Sequence, residues 1–393
     1  LKTPARPGPH ARAMPASIPS PLPPLRIRGR TLAPIVQGGM GVGVSGHRLA
    51  GTVAAHGAVG TLASVDLRRH HDDLMAETGR SRDKAAIDRA NLVALDREVR
   101  AALAIAGGRG LVAVNVMRAV SEYPAYVRQA CASGAQALVV GAGLPLDLPD
   151  LTAAFPDVAL IPILSDARGI GVVVRKWLRR GRLPDAIVVE HPRYAGGHLG
   201  AARVEDLADP RFDFGSVIPE AHALFRELGI APIPLIAAGG IDSREKMLAA
   251  MALGASAVQI GTAFAVTEES AAHPAFKRIL AEARPEDLVE FVSVAGLPAR
   301  AVRTPWLERY LAKLENATAR AQPRSECTLA FDCLSTCGLR DGIAKIGQFC
   351  IDFRLAAALK GDVERGLFFR GAGRLPFGAE IRPVRELLEY FLQ

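Results

Sequence analysis

The chain has 393 residues, 49% of them apolar and only 5% aromatic, with a formal charge of +8 and an isoelectric point near 9.5. That length suits one large domain or two ordinary ones with a sizeable core. Charge spread this thinly attracts anionic ligands in general but is not the dense stripe of a nucleic-acid binder. The five cysteines are too few for a disulfide scaffold, and no apolar run reaches the roughly 20 residues that span a bilayer.

Residues 1–30 are rich in proline and arginine and read as a disordered leader, with Met14 as a candidate start. They hold no apolar stretch of the kind a secretory signal needs, so a reducing cytoplasm is the expected compartment. From residue 33 onward short apolar runs recur. They are APIVQ (33–37), AVGTLAS (58–64), LVAVNV (111–116), ALVV (137–140), ALIPIL (159–164), AIVVE (186–190), PLIAA (234–238) and AVQI (257–260). None alternates apolar with polar residues, which is the pattern of strands buried on both faces in a parallel sheet covered by helices.

The stretches between these runs read as helices. The clearest covers 243–253, SREKMLAAMAL, with Asp242 as its cap and Glu245 placed as in a capping box. Gly254 stops it, and Met247, Leu248 and Met251 form its apolar stripe. Eight strands alternating with helices over residues 31–265 predict an α/β fold, a (β/α)8 TIM barrel; an open doubly wound sheet shares the alternation. Past residue 265 the repeat stops, and 266–393 reads as a helical C-terminal domain capping the barrel mouth.

Two glycine patterns compete for a phosphate. GVGVSG (41–46) matches G-x-G-x-x-G, and Asp66 follows where a ribose-binding acid would stand, but Asp66 leads into LRRHHDD and serves equally as a helix N-cap. The second pattern, PLIAAGGIDSREKMLAAMALGASAVQIGTAF, places glycine pairs and Thr262 after strands seven and eight. Barrels often bind phosphate there.

The segments PIVQGGMG, AGGHLG, AAGGI and QIGTAF, in this order, resemble the nitronate monooxygenase family, formerly called 2-nitropropane dioxygenase. That family includes flavin-dependent enoyl-acyl-carrier-protein reductases and NAD(P)H:quinone reductases. The resemblance spans about residues 32–264, and the tail from CLSTCGLRDG is similar to the end of one bacterial subgroup. It implies an FMN-binding barrel with Gly39 and Met40 along the flavin ring, Asn115 hydrogen-bonded to it and Gly196 beside it. Ala238, Gly239, Gly240, Gly261 and Thr262 would hold the phosphate, and Ser165 stands where a lysine or polar group often ends strand five. The implied reaction is oxidation of alkyl nitronates by O2. The alternative within the family uses NAD(P)H as co-substrate to reduce a quinone or an enoyl thioester. A non-enzymatic flavin-binding subunit is a third option. The implied partners are a small-molecule substrate and O2, with docking to an acyl-carrier protein and a homodimer left open.

His198 lies between glycines in AGGHLG, just after strand six at the catalytic end of a barrel, and is the candidate catalytic residue. An ordinary histidine pKa near 6.5 suits proton transfer close to neutrality. It could take the α-proton of a nitroalkane, bind an anionic nitro group or donate to an enoyl carbonyl. The approach, VVEHPRYAGGHLG, carries an extra residue relative to the family, with Tyr194 placed to fill the pocket and Arg193 in a solvated loop beside His191.

Three further stretches invite function. RHHDD (69–73) puts its side chains on different helix faces and reads as a solvated face rather than a metal site. RKWLRRGR (175–182) reads as a helix surface with Trp177 turned inward. Cys327, Cys333, Cys337 and Cys350 are open to metal binding, redox pairing or plain packing of a helical cap; Cys333-x3-Cys337 is not the C-x2-C spacing of a zinc knuckle. No metal ligand set is assigned.

Overall fold

All eight apolar runs become parallel strands, and the eight close into one barrel. The computed structural model describes residues 18–324, 327 and 331–393, so the first 17 residues of the expected leader, Met14 included, lie outside the described residues. The barrel strands are β3 (Ile35–Gln37), β4 (Val59–Ala63), β5 (Leu111–Met117), β6 (Ala137–Gly141), β7 (Ala159–Leu164), β8 (Ile187–Glu190), β10 (Leu235–Ala238) and β11 (Ala257–Ile260). Closure comes from β11 pairing with β3, Val258 opposite Ile35. Both faces of each strand are apolar because each has an apolar neighbour. Val36, Val59, Ala113, Val139 and Val188 fill the interior, while Leu62, Val112, Val114, Leu138 and Val140 pack under the helices. The open-sheet alternative is excluded by this closure.

The leader ends earlier than residue 30. β1 (Leu25–Ile27) and β2 (Arg30–Leu32) form an antiparallel hairpin, and Leu25, Ile27 and Leu32 join the core of the barrel interior. Arg30 donates to the Gly110 carbonyl at 3.1 Å and Arg28 pairs with Asp185 at 3.1 Å. Both partners sit just before barrel strands, so the hairpin plugs the N-terminal end.

The helix Arg244–Ala252 is capped by Ser243, whose side chain accepts the Lys246 N–H, and not by Asp242. Asp242 instead pairs with the Lys246 ammonium at 2.7 Å and accepts the Arg374 N–H at 2.9 Å. Met247 of the expected stripe is buried and Leu248 is exposed. Gly254, at φ +108°, follows the helix as its stop.

Residues 266–393 do not form a separate, purely helical domain. β12 (Leu288–Val292) and β13 (Pro298–Val302) form a hairpin that adds β9 (Gly197–His198) as a third strand. Ala299 stands opposite His198, so the C-terminal region holds the candidate catalytic loop in register. The last helix, Val384–Leu392, returns to the barrel wall and buries Val384, Leu387, Leu388 and Phe391 in the core shared with the barrel helices. Among the described residues no helix is long and apolar enough to cross a membrane.

Candidate functional site

A cavity of about 520 Å3 opens at the C-terminal ends of the barrel strands, within the size range of small-molecule sites. Gly39, Met40, Asn115, Ser165, Gly196, His198, Ala238, Gly239, Gly240, Gly261 and Thr262 all line it. Their convergence follows from the fold: most end a strand or begin the loop after one, Asn115 faces in from the later part of β5, and Gly196 and His198 sit in the long segment after β8. The C-terminal region supplies the facing wall through Leu297, Leu355, Phe369, Arg370 and Arg374.

Gln37, fully buried at the end of β3, shapes the first loop. Its amide nitrogen donates to Ser45 Oγ at 3.0 Å, to the Thr61 carbonyl at 3.1 Å and to the Gly38 carbonyl, while its oxygen accepts the Thr61 N–H at 2.8 Å. Ser45 Oγ in turn accepts the Met40 N–H at 3.0 Å. A Cβ on Gly39 would overlap the Cβ of Asn115, so the backbone there passes flush against β5. Asn115 is fixed by donating its amide to the Val139 carbonyl at 3.1 Å. Bare backbone beside an oriented amide is a surface on which a flat ring can lie.

At the opposite end, Gly239 and Gly240 hold φ of +91° and +78°, which favours glycine. A Cβ on Gly240 would press on Tyr194 at 2.8 Å. Thr262 Oγ1 accepts the Gly371 N–H at 3.0 Å and keeps its own proton to donate. Arg374, from the facing C-terminal region, adds a cation to the cavity lining.

His198 faces this space from the half-buried strand β9, its ring 5.7 Å from that of Phe369. Its Nε2 is buried and has no hydrogen-bond partner. Burial pushes its pKa down to about 4, so the imidazole is neutral at physiological pH, where an ordinary value would leave a fraction protonated. Arg300, buried in β13, positions the approach: it pairs with Glu290 at 2.9 Å and donates to the carbonyls of Pro192 and Ala195. Sequence reasoning missed this arginine because the carbonyls it binds lie about a hundred residues upstream.

Glu190 is the other omission. It ends β8, lines the cavity and is pushed up to about 7 by burial. A carboxyl closing an otherwise apolar strand at the catalytic end was the available signal. Gln259, the one polar residue of β11, also lines the cavity with its Oε1 unpartnered. Ser165 is tightly covered, since a Cβ on Gly200 would overlap its hydroxyl.

The other singled-out residues are structural. Asp66 is fully buried and bonded to Arg68 at 2.8 Å and to Arg69; its carboxylate cannot reach a ribose, so GVGVSG lacks the acid a dinucleotide loop requires. It sits at the N-cap position of the turn Leu67–His70 without making a side-chain cap bond. Arg69 also reaches Asp352 at 2.8 Å, so the arginine of RHHDD is tied into buried ion pairs, while Asp72 and Asp73 lie on an exposed face where Asp73 pairs with Arg97 at 2.8 Å. His191 is buried against Asp213 at 3.1 Å and against Tyr194. Tyr194 lines the cavity rim, while Arg193 is exposed with its guanidinium 5.6 Å from the Tyr194 ring. Trp177 is fully buried and donates to the Pro145 carbonyl at 3.0 Å. Among the described residues no three His, Cys, Asp or Glu side chains could hold a single metal ion.

The nitronate monooxygenase family model matches residues 28–393. A Bacillus subtilis protein named "Probable nitronate monooxygenase" is 35% identical over 122 residues, 31% of this chain and 33% of that protein. A Staphylococcus saprophyticus protein of the same name is 27% identical over 177 residues, 44% of this chain and 48% of that protein. The matched segments therefore span a third to a half of these relatives. Among solved structures, FabK from Thermotoga maritima aligns with TM-score 0.59 and 23% identity over 91% of each chain. A nitroalkane oxidase from Streptomyces ansochromogenes aligns with TM-score 0.61 and 20% identity over 91% of this chain and 94% of that one. At these identities the structural likeness is one of fold.

Proposed function

The chain belongs to the nitronate monooxygenase family, whose members are flavin-dependent, and we propose that it binds FMN in the barrel-mouth cavity and oxidises alkyl nitronates with O2. The observation that carries this reading is the unpartnered Nε2 of a neutral His198, facing a cavity walled by bare glycine backbone. The residues fit the cofactor. Gly39, Met40 and Asn115 offer a flat surface for a ring, and Gly196, where a Cβ would overlap Gly371 N, lets the roof close over it. Gly239, Gly240, Gly261 and Thr262, with Arg374, offer backbone amides, a hydroxyl and a cation for a phosphate. Bound there, flavin supplies electron acceptance from the substrate and subsequent reaction with oxygen.

His198 then has one task for each substrate form. Toward a nitronate, already deprotonated, Nε2–H donates a hydrogen bond to the anionic nitro oxygens and orients the carbon. Toward a neutral nitroalkane, the Nε2 lone pair takes the α-proton; a pKa near 4 makes it a weak base, which favours the nitronate as substrate. Glu190, pushed up to about 7 by burial, is only partly ionised near neutrality and can hold a proton inside the cavity. Phe369 and Leu297 give the cavity wall apolar surface beside His198.

Oxygen uptake separates this reading from its alternative. Addition of a nitronate is expected to start O2 consumption without NADH or NADPH. Consumption that needs NAD(P)H, together with reduction of a quinone or an enoyl thioester, would replace it with the reductase reading.

A further inference from the structure

Cys327, Cys333, Cys337 and Cys350 have no part in the reaction above, and all four are free thiols. The fold nevertheless gathers them. The Cys333 carbonyl accepts the Ser121 N–H at 3.1 Å and Ser335 N–H donates to the Ala119 carbonyl at 2.9 Å, which pins this segment to the loop after β5. Cys333 itself lines the cavity. Cys337 precedes the turn Gly338–Asp341. Gly338 N–H donates to the Val294 carbonyl at 2.8 Å, and Gly347 N–H donates to the neighbouring Ser293 carbonyl at 3.0 Å. The approaches to Cys337 and Cys350 thus lie side by side, so close that a Cβ on Gly338 would overlap the Gly347 carbonyl. Arg324 N–H donates to the Arg340 carbonyl at 2.8 Å, bringing the approach to Cys327 onto the same turn. Cys333 and Cys337 pack against the cluster of Phe349 and Ile351, the two residues that flank Cys350.

The electrostatics agree with this proximity. Burial pushes the thiols of Cys333, Cys337 and Cys350 up, that of Cys350 to about 12; the nearby Asp352 carboxylate raises Cys333 and Cys350 further, and neighbouring thiols, Cys327 among them, push each in the same direction. Two arginines border the set: Arg340, itself bonded to Asp341 at 2.6 Å, interacts with Cys337, and Arg354 interacts with Cys350. The four sulfurs do not converge on one ion. A polynuclear cluster does not require that, because its thiolates are shared among separate irons and stand farther apart.

We propose that Cys327, Cys333, Cys337 and Cys350 are the four ligands of an iron–sulfur cluster set in the wall of the cavity. Four-cysteine ligation serves both two-iron and four-iron clusters, and binding converts the buried thiols to thiolates with release of their protons.

The test is elemental and does not depend on turnover. The full chain, produced with added iron and purified without oxygen, is analysed for iron, acid-labile sulfide and zinc. Iron and sulfide are expected in equal amounts, about two or four of each per chain, with a visible absorption and a paramagnetic signal on reduction. Cys337→Ala and Cys350→Ala should lose both elements, and Cys131→Ala, remote from the set, should keep them. Zinc without sulfide, or no iron after reconstitution with ferrous iron and sulfide, overturns the proposal. So does a full cluster retained in folded Cys337→Ala. If either variant fails to fold, the iron and sulfide content of the unaltered chain decides the matter.

Discussion

Replacing Glu190 with glutamine tests the interior of the site without flavin. The carboxyl is lifted from an ordinary 4.5 to about 7 by burial alone. Below pH 4.5 it is protonated in both folded and unfolded chains and costs the fold nothing. Between pH 4.5 and 7 the unfolded chain ionises first, so stability is lost as pH rises and the loss is complete above about 7. At 1.36 kcal/mol per pH unit the full loss is roughly 3 kcal/mol. Glu190→Gln keeps the shape and removes the ionisation. Urea unfolding of the flavin-free protein is expected to give equal stabilities near pH 4 and a glutamine variant more stable by up to roughly 3 kcal/mol at pH 8. A difference that does not vary with pH, or a variant less stable at pH 8, would refute the burial of an uncompensated carboxyl.

His198→Ala should retain flavin and lose about 10²–10⁴ in kcat/KM, measured by steady-state oxygen uptake. With a neutral nitroalkane as substrate, where His198 must take the proton, the unaltered enzyme should show its His198 limb near pH 4, since the folded value is depressed; activity should fall as pH drops through it. A limb near 6.5 would reassign the titrating group. Gly39→Ala forces a methyl into Asn115 and should cost about 1–3 kcal/mol, read as reduced flavin content at equal purity. Asp66→Ala strips buried Arg68 and Arg69 of their shared carboxylate and should cost about 3–5 kcal/mol in denaturant unfolding, with little direct effect on substrate affinity.

The barrel was legible because parallel strands buried on both faces leave unbroken apolar runs, and β3 through β8, β10 and β11 do so. The β1–β2 hairpin was not: Leu25 and Ile27 alternate with Arg26 for only three residues behind a run of prolines. β12 and β13 escaped because their pattern is broken by Glu290 and Arg300, which satisfy each other and the carbonyls before His198. Gly239, Gly240, Gly261, Thr262 and His198 were legible from their places after strands, whereas Gly39, Met40, Asn115 and Gly196 were reached through the family resemblance. The electrostatic state of the site was not, because the depressed His198 and raised Glu190 follow from burial by chain segments distant in sequence.

The central claim is most directly tested by an anaerobic visible spectrum of the purified protein titrated with an alkyl nitronate. Bound FMN whose absorbance changes in proportion to nitronate added, and recovers when oxygen is admitted, is the predicted result. A protein that takes up no flavin, or a flavin spectrum unmoved by nitronate and bleached only by NADH or NADPH, would contradict it.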